Sequence, residues 1–186
     1  QINVSGAGSS DTTLWFNLVW YDGTGIHNNL SLQFYRSDQT TWSTVNEPQT
    51  ESPRGTEARM AYIGPSQGNH YAVGNGTHYV KVTNASASSQ DFHIYVYQAG
   101  TGSVTFQNAD PNYTISSPAD ADSAIAVGAY TTRKNWYDYA NNSWQYTTET
   151  VDQISTFSSR GPRIDTGAPY KPNIVAPGCG IISARD

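Results

Sequence analysis

The chain has 186 residues, of which 37% are hydrophobic, 12% aromatic and only 13% charged, with a formal net charge of -5 at pH 7. Its basic residues are scattered and no apolar run approaches the roughly 18 residues of a membrane span, so neither a phosphate-tracking surface nor a spanning helix is encoded. The 13 Tyr and 5 Trp supply enough apolar area for a packed core, which argues against disorder, and the lone Cys179 excludes an internal disulfide.

The first elements repeat with period two. Leu14, Phe16, Leu18 and Trp20 alternate with Trp15, Asn17, Val19 and Tyr21, which predicts a strand ended by turn chemistry at Asp22-Gly23. Leu30, Leu32 and Phe34 repeat the alternation after Asn28-Asn29. Residues 43–76 are weakly patterned; with Pro48, Pro53 and Pro65 they read as long loops around a strand at Arg59 to Ile63. Gly74-Asn75-Gly76 opens a short run holding Val80 and Val82. Phe92, Ile94 and Val96, opposed by His93, Tyr95 and Tyr97, form the next strand; a Gly100-Thr101-Gly102 turn and a last strand at Val104 and Phe106 follow. Frequent turns without a helical period predict a mainly β fold, an antiparallel β-sandwich or jelly roll, over residues 1–108.

From about Ala109 the texture changes. Ser123 to Ala129 is nearly continuous and apolar, the pattern of a strand buried on both faces in a parallel sheet. Ile174-Val175-Ala176 is a second such run, ended by Pro177-Gly178. Between them, Trp136 to Tyr146 reads as a hairpin with Asn141-Asn142 at its centre. Six N-x-Ser/Thr sequons, at Asn3, Asn29, Asn75, Asn84, Asn112 and Asn141, give mild weight to export.

Five segments of the second part stand in a fixed order: Ser117-Pro118-Ala119, Ile125 to Ala129, Ser155 to Pro162, Lys171 to Gly178, and Ile181 to Ala184. Together they resemble the late catalytic domain of subtilisin-like serine proteases, over residues 113–186. The resemblance implies a partial segment of the α/β subtilisin fold at 109–186, and it makes 1–108 a β domain inserted into the protease. It places Ser116 and Ser117 at the wall of the substrate pocket and Phe157 at the leaving-group side of the cleft. It also implies that no cofactor is required, and that a calcium or monovalent cation is held by the backbone carbonyls of Ala119, Ala121 and Ala124. An ordinary core position for Phe157, and solvated carboxylates at Asp120 and Asp122, are the plainer readings of the same residues.

Peptide hydrolysis by this family needs a serine activated by a histidine that an aspartate orients, together with donors for the oxyanion; subtilisin is itself a standard example of both. The chain holds no Gly-Thr-Ser-Met-Ala string, and the family's Asp, His and Asn motifs are missing ahead of the Ile125 run. The nucleophile is thus expected beyond Asp186. His27, His70, His78 and His93 all lie in 1–108, outside any family motif, and read as strand or surface residues. Ser158 and Ser159 read as structural, and Cys179 as a buried inert thiol.

The expectation is a catalytically silent segment of a secreted endopeptidase that meets polypeptide substrate only in the full-length parent. The inserted domain would modulate substrate access or binding. Neither nucleic acid nor a membrane span is expected; with open sheet edges, residues 109–186 of the isolated fragment are expected to add strands onto the sandwich, to unfold in part or to pair with another copy. Two alternatives stay open: a β-sandwich binding module for carbohydrate or calcium-dependent adhesion, and an oligomerisation domain. Trp15, Trp20 and Trp42 would form the sugar platform of the former, against a plainer role in the core.

Overall fold

A computed structural model describes residues 1–7, 12–25, 27–42, 44–64, 73–86, 88–165 and 170–182. Every regular element among them is a strand. The chain forms two compact units, Gln1–Ala109 and Asp110–Asp186.

In chain order the first unit contains β1 (Ile2–Ser5), β2 (Thr13–Tyr21), β3 (Leu30–Tyr35), β4 (Thr41–Trp42), β5 (Val45–Asn46), β6 (Thr50–Glu51), β7 (Thr56–Ile63), β8 (Gly76–Asn84), β9 (Phe92–Ala99) and β10 (Ser103–Phe106). One sheet runs β10-β1-β8-β3-β4; the other runs β5-β7-β2-β9, with β6 also paired to β7. All these pairings are antiparallel.

The alternation on β2 is realised residue by residue. Leu14, Phe16, Leu18 and Trp20 are buried, while Trp15, Asn17, Val19 and Tyr21 are half-buried on the opposite face. Leu14 and Phe16 of β2 and Ala61 and Ile63 of β7 share one core with Ile2, Val4, Leu32 and Phe34 of the other sheet, and Leu18 and Trp20 pack with Leu30 in a second cluster. Phe16 and Phe34 meet in the first of these with ring centroids 6.2 Å apart. Each such side chain removed from water contributes about 1.5–3 kcal/mol, so the meeting of the two inner faces is the main stabilising feature of this unit.

Some elements depart from the sequence reading. The short β1 was not expected; its two inward residues, Ile2 and Val4, are too few to establish a period, yet both are buried. Strand β7 starts at Thr56 rather than Arg59, because its inward position Glu57 is a buried carboxylate and masks the apolar pattern. Short strands β5 and β6 occupy part of the stretch read as loop, and β4, just ahead of it, was not expected either. Pro65 and His70 lie outside the described residues.

The second unit contains β11 (Val127–Thr131), β12 (Asn135–Tyr137), β13 (Ser143–Gln145), β14 (Gln153–Ile154) and β15 (Ile174–Cys179). Strand β11 pairs parallel with β15 on one side and antiparallel with β14 on the other. The expected hairpin is β12–β13, with Trp136 opposite Trp144 and Asn141 at a φ of 63° in its turn.

The apolar run is not buried on both faces here. Ile125 is 76% exposed, Val127 54% and Ile174 55%, because no further layer of this unit covers them among the described residues. Strand β15 also passes through Pro177 instead of stopping. The register shifts so that Tyr130 faces Pro177 and Thr131 faces Cys179. A bulge tolerates a residue without an N–H. Gly178 is the extra residue, and a Cβ there would stand 2.6 Å from the Ala129 Cβ.

Candidate functional site

The site is built on the loop after β14. Its anchor is Glu149, which is 4% exposed. Glu149 Oε2 accepts from Thr131 Oγ1 at 3.2 Å and from the Thr156 N–H at 3.0 Å; its Oε1 accepts from Thr156 Oγ1 at 2.5 Å. The side-chain and backbone donors of Thr156, with Thr131 after them, hold this carboxyl below the usual carboxylate range. Thr131 Oγ1 also lies 2.8 Å from the Oγ of buried Ser155. The Ser155 N–H donates to Ala129 O, and the Ala129 N–H donates to Ser158 Oγ, both at 3.0 Å.

This network fixes residues 155–158 against β11 and leaves Phe157 63% exposed. The core alternative for Phe157 is therefore excluded within its own unit. An exposed aromatic on a loop pinned at both sides is available for contact with another chain.

Ser116 and Ser117 sit in an exposed turn in which Ser116 O accepts the Ala119 N–H at 2.9 Å. The segment leading into that turn is tied to the Phe157 loop. The Thr114 N–H donates to Arg160 O at 2.8 Å, and the Arg160 N–H donates to Thr114 Oγ1 at 2.8 Å. The structure thus brings the segments bearing all three expected substrate contacts together. The adjacent Gly161 explains its place in the motif, since a Cβ there would meet Lys171 O at 2.1 Å.

The carbonyls assigned to a cation are already engaged in part. Ala121 O accepts the Ala124 N–H at 3.2 Å, and Ala124 O accepts from the Lys171 ammonium. Lys171 is 3% exposed and donates also to Asn173 Oδ1 at 3.0 Å. Asn173 Oδ1 in turn accepts the Ala126 N–H at 2.9 Å. A metal ion on Ala124 O would face that ammonium, so the residues present do not fit a further cation at this oxygen. Asp122 pairs with the buried guanidinium of Arg163, which Asp165 engages on its other edge. Asp165 first, then Asp122, raise the pKa of that guanidinium.

The described histidines belong to the first unit. His27 Nδ1 lies 2.9 Å from Glu57 Oε1, and His78 Nε2 lies 2.8 Å from Gly74 O. Cys179 is buried, as expected. Trp20 and Trp42 are core residues, whereas Trp15 is half-buried between Tyr62 and Tyr97. Sequence reasoning missed Thr114, Thr131 and Glu149, and it held Arg160 and Lys171 only as members of motifs, with no role assigned. None carries a periodic signal, and each matters through a partner elsewhere in the chain, from Thr156 for Glu149 to Ala124 for Lys171.

The subtilase family model matches residues 15–185. The chain belongs to the subtilase family. The motifs from Ser117 to Gly178 are thereby accounted for, and the loop that presents Phe157 is a subtilase loop. Pyrolysin from Pyrococcus furiosus is 37% identical over 101 residues, which cover 49% of this chain and 7% of that protein. The chain thus spans a small fraction of the length of this relative. No solved structure matches it. No described helix is long and apolar enough to cross a membrane.

Proposed function

We propose that this subtilase chain is a non-catalytic segment of a secreted serine endopeptidase, and that it supplies part of the wall of the substrate cleft. Phe157 borders the leaving-group side, Ser116 and Ser117 border the pocket before the scissile bond, and the Thr114–Arg160 pair keeps the two walls in register. The observation that carries this reading is the exposure of Phe157 on a loop pinned on both sides, by the Thr156 N–H bonded to buried Glu149 and by Ser158 Oγ bonded to the Ala129 N–H. Binding groups held rigidly in this way lower the entropy cost of placing a peptide. Residues elsewhere in the longer protein supply the nucleophile, base and oxyanion donors.

Residues 109–186 are read as part of the catalytic domain, and residues 1–108 as a jelly-roll-like β-sandwich inserted into it to modulate substrate access. The exposed apolar faces of β11 and β15 support the former, because a parallel pair of this kind belongs inside a larger covered sheet. In the isolated chain the same faces favour pairing with a second copy. Lys171 supplies the positive charge at Ala124 O that a bound cation would otherwise supply.

The test is active-site labelling. A fluorophosphonate probe is applied to this chain and to the longer protein side by side. Labelling of the longer protein alone is expected; labelling of a specific serine in this chain would sink the reading.

A second reading, a carbohydrate-binding role for the first unit, is favoured by one feature. Tyr62, Trp15 and Tyr97 are direct neighbours across β7, β2 and β9 and form an aromatic row on the outer face of that sheet. Retention on immobilised polysaccharide, lost in Trp15→Ala, distinguishes it.

A further inference from the structure

We propose that the first unit carries a site for one divalent transition-metal ion, with His27, Glu51 and Glu57 as its ligands. One donor atom from each of these residues lies within 4.8 Å of the other two. His27 Nδ1 is 2.9 Å from Glu57 Oε1 and 4.0 Å from Glu51 Oε2. Ligand atoms around one tetrahedral ion, each about 2.1 Å from it, lie roughly 3.4 Å apart. The observed spread is close to that, and the side chains that must move to close it are the accessible ones. The side chains of His27 and Glu51 are 56% and 32% exposed, whereas that of Glu57 is 1% exposed and fixed in place.

The fold itself creates the demand for a cation. Glu51 and Glu57 stand directly opposite each other on β6 and β7. Like charges in that register repel, and a carboxylate withdrawn from water requires compensation. A third carboxylate stands nearby. Asp22 Oδ2 accepts from Trp20 Nε1 at 3.3 Å and from the Asn28 N–H at 2.8 Å, but its Oδ1 is buried with no hydrogen-bond partner. A proton on Nδ1 is the competing occupant.

The donor set selects the ion. One imidazole nitrogen and two carboxylate oxygens, with a fourth position open, suit zinc and its neighbours. Calcium and magnesium prefer all-oxygen cages. The ion would replace the proton that Nδ1 shares with Glu57 and would bridge β6, β7 and the loop after β2. This site is independent of the proteolytic reading, since it lies wholly in the first unit.

The test is calorimetric titration of the metal-free chain with Zn2+, alongside visible absorption with Co2+. The variants are His27→Ala and Glu51→Gln, with His93→Gln as a control outside the cluster; Glu57 is left intact because it is a core position. The expected result is one ion per chain, with affinity at least about tenfold weaker in both cluster variants and unchanged in the control. Tetrahedral Co2+ bands should vanish in His27→Ala. Absence of stoichiometric binding, or equal binding by wild type and both cluster variants, would overturn the proposal and leave the proton on His27 as the countercharge.

Discussion

Thr114 and Arg160 bond each other in both directions although 46 residues separate them: the Thr114 N–H reaches Arg160 O, and the Arg160 N–H reaches Thr114 Oγ1. This pair joins the turn of Ser116 and Ser117 to the loop of Phe157. In Thr114→Val the Arg160 N–H loses its acceptor while the volume is kept. The expected cost is about 1–3 kcal/mol for a part-buried donor left unpaired. Urea unfolding followed by the fluorescence of Trp136 and Trp144 reads it, and an unchanged midpoint would show the pair to be incidental.

Phe157 is exposed, so its removal should leave stability nearly untouched. In the longer protein, Phe157→Ala is expected to lower kcat/KM by about tenfold on peptides with a bulky residue after the scissile bond. Peptides with glycine there should respond much less. A uniform loss across the peptide series would point instead to collapse of the loop.

Lys171 donates to Ala124 O and to Asn173 Oδ1. Added CaCl2, NaCl at matched ionic strength and EDTA should all leave the unfolding of the second unit unchanged. Lys171→Met should cost about 1–3 kcal/mol, since Ala124 O and Asn173 Oδ1 each lose a donor. Partial rescue of Lys171→Ala by Na+ or K+, read as a rise in Tm, would establish that the ammonium stands in for an ion. Calcium-dependent stability of the wild-type second unit would refute it.

Asp138 organises the β12–β13 hairpin. Its carboxylate accepts from Asn142 Nδ2 at 2.9 Å, from Trp144 Nε1 at 3.0 Å, and from the N–H groups of Ala140 and Asn142. The Asn142 side chain foremost, then Trp144, lower its pKa from 3.8 to about 2. A depressed folded-state value means that the stabilisation is complete above the unfolded pKa and is lost as pH falls through about 2. The indole N–H resonance of Trp144 should therefore titrate near pH 2, and in Asp138→Ala it should lie at its solvent-exposed position at every pH.

Parts of this fold were legible in the sequence for a definite reason. Side-chain direction alternates along a strand, so Leu14 to Trp20 and Leu30 to Phe34 declared their inward faces without any knowledge of their neighbours. The hairpin at Asn141-Asn142 was legible because its turn chemistry is local. Glu57 was hidden for the opposite reason: a buried carboxylate at an inward position imitates a solvent-facing residue until its partner His27 is seen.

The sequence by itself determined strands β2, β3, β8, β9 and β10 of the first unit and, through five ordered segments from Ser117 onward, membership of the subtilase family. Both are written in neighbouring residues. The tertiary structure alone decided that Glu149 braces the Phe157 loop, that Thr114 ties it to the Ser116 turn, that Lys171 occupies Ala124 O, and that Glu51 meets Glu57. Each of these depends on strand register or on a contact between distant segments, and hydrogen bonds of that kind leave no periodic trace in the order of residues.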